Sequence, residues 1–291
     1  MVDTIENQVV DLIRRAATGL PADVVDALEN AYRSEDSEVA RVTLGTILKS
    51  VEISRKEGLP LCQDTGSITF YVKSQGPSRY MEDVLFRATA RATAEVPLRP
   101  NMVEPFTGEN SGNNLGALSP FIIWEPADNP GSVQLTVLLK GAGSDNLTAL
   151  VMLNPTDGVE VIERFVVNRI VDAGGKPCPP TVVGVGIGGS SDIAMFLSKK
   201  ALLRPIGSRN PNTAASNLER RLLEAINSTG IGPMGLGGRW TSLWVNVECA
   251  HRHTASLPVA VSIGCWAMRR ATTVISESEL SRMEISTRKE V

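Results

Sequence analysis

Along residues 1–58 apolar side chains recur every three or four positions, in VVDLIRRA, VVDALENAY and VARVTLGTILKSVEISR, with breaks at Gly19, Pro21 and 34–37. That period places the apolar residues on one face of a helix, so the pattern predicts a helical N-terminal region punctuated by helix breakers. From Leu59 the texture changes. Short runs rich in β-branched and aromatic residues, SITFYV, SPFIIWEP and SVQLTVLLK, stand between Gly, Pro and Asn residues and read as strands. A helix over MEDVLFRATARATAEV separates the first two. Beyond KGAGSDN the periodicity predicts a helix in VEVIERFVVNRIVDAG, stopped by Gly174 and Gly175. A strand over TVVGVGIG, a helix over DIAMFLSKKALL and a helix over AASNLERRLLEAINST follow, and the strands TSLWVNVEC and LPVAVSIGCW come after IGPMGLGGRW. The expected class is therefore α/β (mixed α+β), a mixed sheet with flanking helices behind the helical front end. The loops are shorter than linkers between independent domains, which favours one continuous domain over 1–291.

Composition narrows the function classes. A hydrophobic fraction of 42% with 21% charged residues suits a globular chain and excludes a disordered tail protein. A formal net charge of -3 gives no general attraction for a polyanion, and the sequence has no local basic patch. The N-terminus lacks the apolar core of a secretory signal and no apolar run reaches the roughly 20 residues that span a bilayer, so a cytoplasmic location is expected. Four cysteines in so long a chain are no disulfide scaffold; they are buried small residues, metal ligands or nucleophiles.

Candidate chemistry gathers in polar, Gly-rich loops at the ends of apolar strands, where backbone amides and short side chains converge on ligands. These are LPLCQDTG at 59–66, PLRPN at 97–101 running into TGENSGNN at 107–114, KGAGSDN at 140–146, KPCPPTVVGVGIGG at 176–189, and HRHTASLP at 251–258 followed by Cys265. Cys62 precedes Gln63 and Asp64, Cys178 stands between two prolines, and Cys265 ends a strand just ahead of Arg269 and Arg270. Three thiolates can hold a 4Fe-4S cube at three corners and leave the fourth iron open as a Lewis acid. With no CxxC pair, cysteine count and spacing alone favour buried structural thiols over a shared cluster. Gly184, Gly186 and Gly189 satisfy GxGxxG after an apolar run, the pattern of a dinucleotide site. Cys178 immediately upstream, and the lack of an acidic ribose ligand on a following strand, favour a tight strand-to-helix turn instead.

Taken in order, LPLCQDTG, PLRPN with TGENSG, KGAGSDN, CPPTVVGVGIGG and HTASLPVAVSIGCW resemble the alpha subunit, or N-terminal half, of class I iron–sulfur fumarases and L-tartrate dehydratases, over roughly residues 40–270. The resemblance implies a hydro-lyase that reversibly hydrates fumarate to malate, or else dehydrates tartrate or another 2-hydroxy diacid. It implies Cys62, Cys178 and Cys265 as ligands of a substrate-binding 4Fe-4S cluster, with Cys249 outside the set. Asp64 would handle the proton of the substrate hydroxyl, with His253 beside it, while Gln63, Arg99, Gly141 and Gly143 would bind substrate. The planar guanidinium of Arg99 suits a substrate carboxylate, and Lys140 is either a charge partner or a solvated side chain. The family's catalytic base belongs to a beta subunit or C-terminal half, which implies a beta partner, an alpha2beta2 assembly and little activity from the isolated chain. A competing reading is a cluster-carrying sensor that has lost catalysis; the full set of substrate residues argues against it.

Overall fold

The computed structural model describes residues 4–96, 98–128, 131–276 and 278–280; Pro97 of PLRPN and the last eleven positions of the expected domain lie outside the described residues. The chain divides into two compact units, one built from Met1–Pro21, Val51–Gly141 and Arg269–Val291, the other from Ala22–Ser50 and Ala142–Met268.

The helical front end is as the periodicity predicts: α1 is Thr4–Thr18, α2 Ala22–Ser34 and α3 Glu38–Glu57. In the first unit α1 buries Ile5, Val9, Leu12, Ile13 and Ala16, a stripe at helical spacing that packs on α4, Arg79–Glu95. Ser78 starts α4 by accepting the Met81 amide at 3.2 Å, which satisfies one of the free amides of the first turn. Both helices cover one face of a four-stranded sheet of order β2-β1-β3-β8, with β1 Ser67–Ser74, β2 Phe121–Pro126, β3 Ser132–Lys140 and β8 Arg269–Ser276. Alternate residues Ile68, Phe70 and Val72 of β1 and Val133, Leu135, Val137 and Leu139 of β3 point to that core. Each large side chain buried there contributes about 1.5–3 kcal/mol.

The second unit holds a sheet of order β4-β7-β5-β6, where β4 is Ala149–Leu153, β5 Thr181–Gly189, β6 Ser242–Arg252 and β7 Leu257–Gly264. Its helices are α5 Ala142–Asp145, α6 Gly158–Ala173, α7 Ser191–Ala201 and α8 Thr213–Asn227. Val183 and Val185 of β5 pack with α6 and α8 on one face. On the other face α7 lies directly on Gly184 and Gly186: a Cβ at these positions would stand 2.1 Å from the Ser198 carbonyl oxygen and 2.0 Å from that of Ala194. The alternating VGVG pattern is thus a two-faced strand with a helix packed at backbone distance, which accounts for the GxGxxG match without a nucleotide.

The expected single mixed sheet resolves into two, each combining parallel and antiparallel pairs. Two strands carry no strong sequence pattern. The edge strand β4 is five residues of continuous apolar character, and β8 opens with two arginines. Among the described residues no helix is long and apolar enough to cross a membrane.

Candidate functional site

Strand register brings four chain segments to one end of the first sheet. Ser67 pairs with Lys140, Arg269 with Leu139 and Phe121 with Thr69. The starts of β1, β2 and β8 therefore meet the end of β3. The 59–66 loop enters this end pinned to α1, the Leu61 amide donating to the Ala17 carbonyl at 2.9 Å. Within the loop Cys62 is half-buried and Gln63 exposed. Asp64 is held on several sides: its Oδ1 accepts the Gly66 amide at 2.9 Å, and its carbonyl accepts Nη1 of Arg269 at 2.7 Å. A Cβ on Gly141 would lie 2.9 Å from Asp64 Oδ2 and 3.3 Å from Arg269 Nη2, so the carboxylate and the guanidinium both sit over this glycine. Gly66 has φ +86°, and a Cβ there would be 2.8 Å from the Lys140 backbone, which explains a glycine at the close of the motif. Lys140 is buried at 5% exposure.

The PLRPN segment is fixed through its backbone. The Arg99 amide donates to Thr65 Oγ1 at 3.0 Å and its carbonyl accepts Asn114 Nδ2 at 3.0 Å, while its side chain is exposed. Asn101 donates through Nδ2 to the Gly66 carbonyl at 3.3 Å and through its amide to Asn114 Oδ1 at 2.7 Å. Asn114, 2% exposed with φ +62°, is the hub that ties PLRPN to the Gly-rich segment after it. A separate cavity of about 470 Å³ between Met102, Pro105, Leu115 and Ser119 has no candidate residue in its lining.

In the second unit Val182 pairs with Gly264, so Cys178 before β5 and Cys265 after β7 share one end of the sheet. The Trp266 amide donates to the Cys178 carbonyl at 3.1 Å and the Met234 amide to that of Pro179 at 2.8 Å. Cys178 has φ +54°, a left-handed conformation for a residue with a side chain. His253 lies elsewhere. It stands in the loop from β6 to β7, and the pairing of Gly189 with Arg252 puts that loop at the opposite end of β5 from Cys178. An eight-residue strand spans roughly 25 Å, so within this unit the structure does not bring His253 to the two cysteines. Its Nδ1 accepts the Ala255 amide at 3.1 Å, which leaves Nε2 as the ring donor, and Arg252 Nη1 closes the loop on the carbonyls of His253, Thr254 and Ser256. Gly143 is exposed in α5.

None of the four cysteines is in a disulfide. Among the described residues no three His, Cys, Asp or Glu side chains form a site for a single metal ion. A cube bound at three corners is a different requirement, since its ligands stand farther apart than those of one ion. Three half-buried thiols on structured loops fit such a group in donor chemistry. Cys249, on β6, does not: desolvation foremost, then the neighbouring Glu248 and Glu219 carboxylates, push its thiol up, away from the thiolate a metal needs. Sequence reasoning named Arg269 only by position and missed Thr65, Asn101 and Asn114. A buried arginine at a strand start and an asparagine in a Gly-rich loop carry no local signal.

The model of the Fumarate hydratase (Fumerase) family matches residues 6–274. The chain belongs to this family. It is a hydro-lyase accordingly. It is 49% identical over 274 residues, covering 92% of this chain and 96% of the relative, to the "Putative L(+)-tartrate dehydratase subunit alpha" of Methanocaldococcus jannaschii. Against the L(+)-tartrate dehydratase subunit alpha of Escherichia coli K12 the identity is 37% over 279 residues, 94% of this chain and 91% of the relative. The hydro-lyase thus matches these relatives along nearly their whole length.

Proposed function

We propose that this hydro-lyase chain is the alpha subunit of an L(+)-tartrate dehydratase. Among the hydro-lyase reactions of its family, the tartrate reading rests on the names of the relatives at 37–49% identity. The observation that carries the site is Asp64, held over Gly141 by Arg269 two residues after Cys62. In this reading the whole chain works as one cluster-binding domain, and Cys62, Cys178 and Cys265 hold a 4Fe-4S cluster. When bound, the cluster supplies a Lewis-acidic iron corner for a substrate hydroxyl and carboxylate. Gln63 and the exposed guanidinium of Arg99 bind a carboxylate of the diacid, the latter by a two-pronged hydrogen bond. Backbone groups at Gly141 and Gly143 approach the substrate closely because no side chain stands in the way. Asp64 gives a proton to the departing hydroxyl or takes one from attacking water in the reverse direction.

Asp64 lies two residues after Cys62, and within the second unit His253 is a strand length away from Cys178 and Cys265. His253 assists Asp64 with the hydroxyl proton in this reading, from the same chain or from a second copy in an alpha2beta2 assembly. The beta subunit, suggested by the relatives' names, supplies the base for the carbon-bound proton and further carboxylate ligands. Fumarate hydration is the second reading, favoured by the description of the family model.

The test is anaerobic reconstitution with iron and sulfide, alone and with the beta subunit co-expressed, followed by spectroscopy and turnover with L-tartrate, fumarate and malate. A cluster that needs all three cysteines, is perturbed by L-tartrate and turns it over supports the proposal. Turnover of fumarate without tartrate moves the assignment to the second reading. A cluster indifferent to every diacid makes the chain a sensor.

A further inference from the structure

Arg269 is among the largest fully buried side chains of the chain, at 1% exposure, and sits where β8 begins. Burying a guanidinium is costly, and it is retained where it meets a definite acceptor. Here the acceptor is the loop of the proposed proton donor: Nη1 holds the Asp64 carbonyl at 2.7 Å, while a Cβ on Gly141 would meet Asp64 Oδ2 at 2.9 Å and Arg269 Nη2 at 3.3 Å, so carboxylate and guanidinium border the same glycine. The Oδ1 atom of Asp64 accepts the Gly66 amide. Arg269 itself is positioned by the register of β8 on β3, at Leu139.

We infer that Arg269 is a positioning residue: it sets the orientation of Asp64 for proton transfer and takes no part in holding the substrate. The inference rests on the proposed role of Asp64. The geometry requires Gly141 as well, because any side chain there would push the carboxylate away from the guanidinium. Sequence at 141 and 269 is thereby coupled through one carboxylate.

The experiment compares wild type, Arg269→Gln, Arg269→Lys, Gly141→Ala, Asp64→Asn and the Asp64→Asn/Arg269→Gln double variant, each with the beta subunit and a reconstituted cluster. Arg269→Gln is expected to lower kcat roughly 100-fold, the scale of a misplaced general acid, while KM stays within about 3-fold. Arg269→Lys, which keeps one donor for the Asp64 carbonyl, recovers part of that loss. In the Asp64→Asn background the glutamine adds less than about 3-fold, since two residues acting as one unit are not additive. Gly141→Ala keeps the buried cation and lowers kcat by displacing the carboxylate, so it tests the same contact should Arg269→Gln fold poorly. Hydrogen exchange at the Gly66 amide gives a readout independent of turnover: Arg269→Gln speeds it about 10-fold or more, as the Asp64 acceptor loosens, with the amides of β1 unchanged. A KM rise with unchanged kcat, multiplicative losses in the double variant, or unaltered Gly66 exchange overturns the inference. A wild-type complex inactive on every diacid overturns the proposed function instead, and the exchange measurement still decides whether Arg269 positions Asp64.

Discussion

Cys178 adopts a backbone conformation that costs a non-glycine residue about 1–2 kcal/mol, and its carbonyl and amide are both engaged in fixing it. The side chain, not the backbone, is thus the reason for a cysteine there. Cys178→Gly is expected to unfold in urea at a stability within about 0.5 kcal/mol of wild type, because relief of strain offsets the flexibility glycine adds to the unfolded chain, and, as a proposed ligand, to lose the proposed cluster completely. Cys249→Ala retains it. The raised thiol of Cys249 gives a second check. A higher pKa means less thiolate at a given pH, so iodoacetamide should label Cys249 at pH 8 more slowly than a free cysteine peptide and catch up as pH climbs; equal labelling rates at pH 8 would refute the desolvated assignment. Asn114 bonds Asn101, Arg99 and Thr93 from a left-handed backbone. Asn114→Ala removes an acceptor and two donations in a buried site and should cost about 2–4 kcal/mol by urea titration.

At the scale of elements, the contact of β5 with α7 decides what the glycines of TVVGVGIGG are for. Gly186→Ala drives a methyl into the Ala194 carbonyl, with no flexible side chain to yield, and should cost at least about 3 kcal/mol. A dinucleotide titration should show no saturable binding in wild type. The ends of the second sheet carry the other prediction. If His253 serves Asp64 of another copy, a mixture of Asp64→Asn chains with chains carrying His253→Ala regains activity when co-assembled, since one site in each mixed pair keeps an intact Asp64 and receives an intact His253. A site formed by one chain alone leaves every mixed pair dead.

For the whole molecule, the two units differ in how they bury their sheets. The first covers one face with α1 and α4; the second places helices on both faces of β5. Each presents candidate residues at a strand end, where backbone amides are free of the ladder and loops can vary without disturbing the core. If the proposed beta subunit supplies the catalytic base, the isolated chain is expected to bind cluster and diacid yet turn over less than about 1% as fast as the complex. Comparable rates with and without that subunit would locate the base in this chain.

The sequence by itself determined the helical front end, because three helices need only a local period of apolar residues, and it determined most strands, because β-branched runs between Gly and Pro are local too. It also located the loops that carry Cys62, Asp64, Arg99, Cys178 and Cys265, since such loops are marked by their own composition. Only the tertiary structure decided that the strands form two sheets, that α7 needs Gly184 and Gly186, that Arg269 grips Asp64, and that His253 and Cys178 stand at opposite ends of one sheet. Each of these depends on strand register or on the approach of two backbones distant in sequence. Neither leaves a periodic trace in the residues themselves.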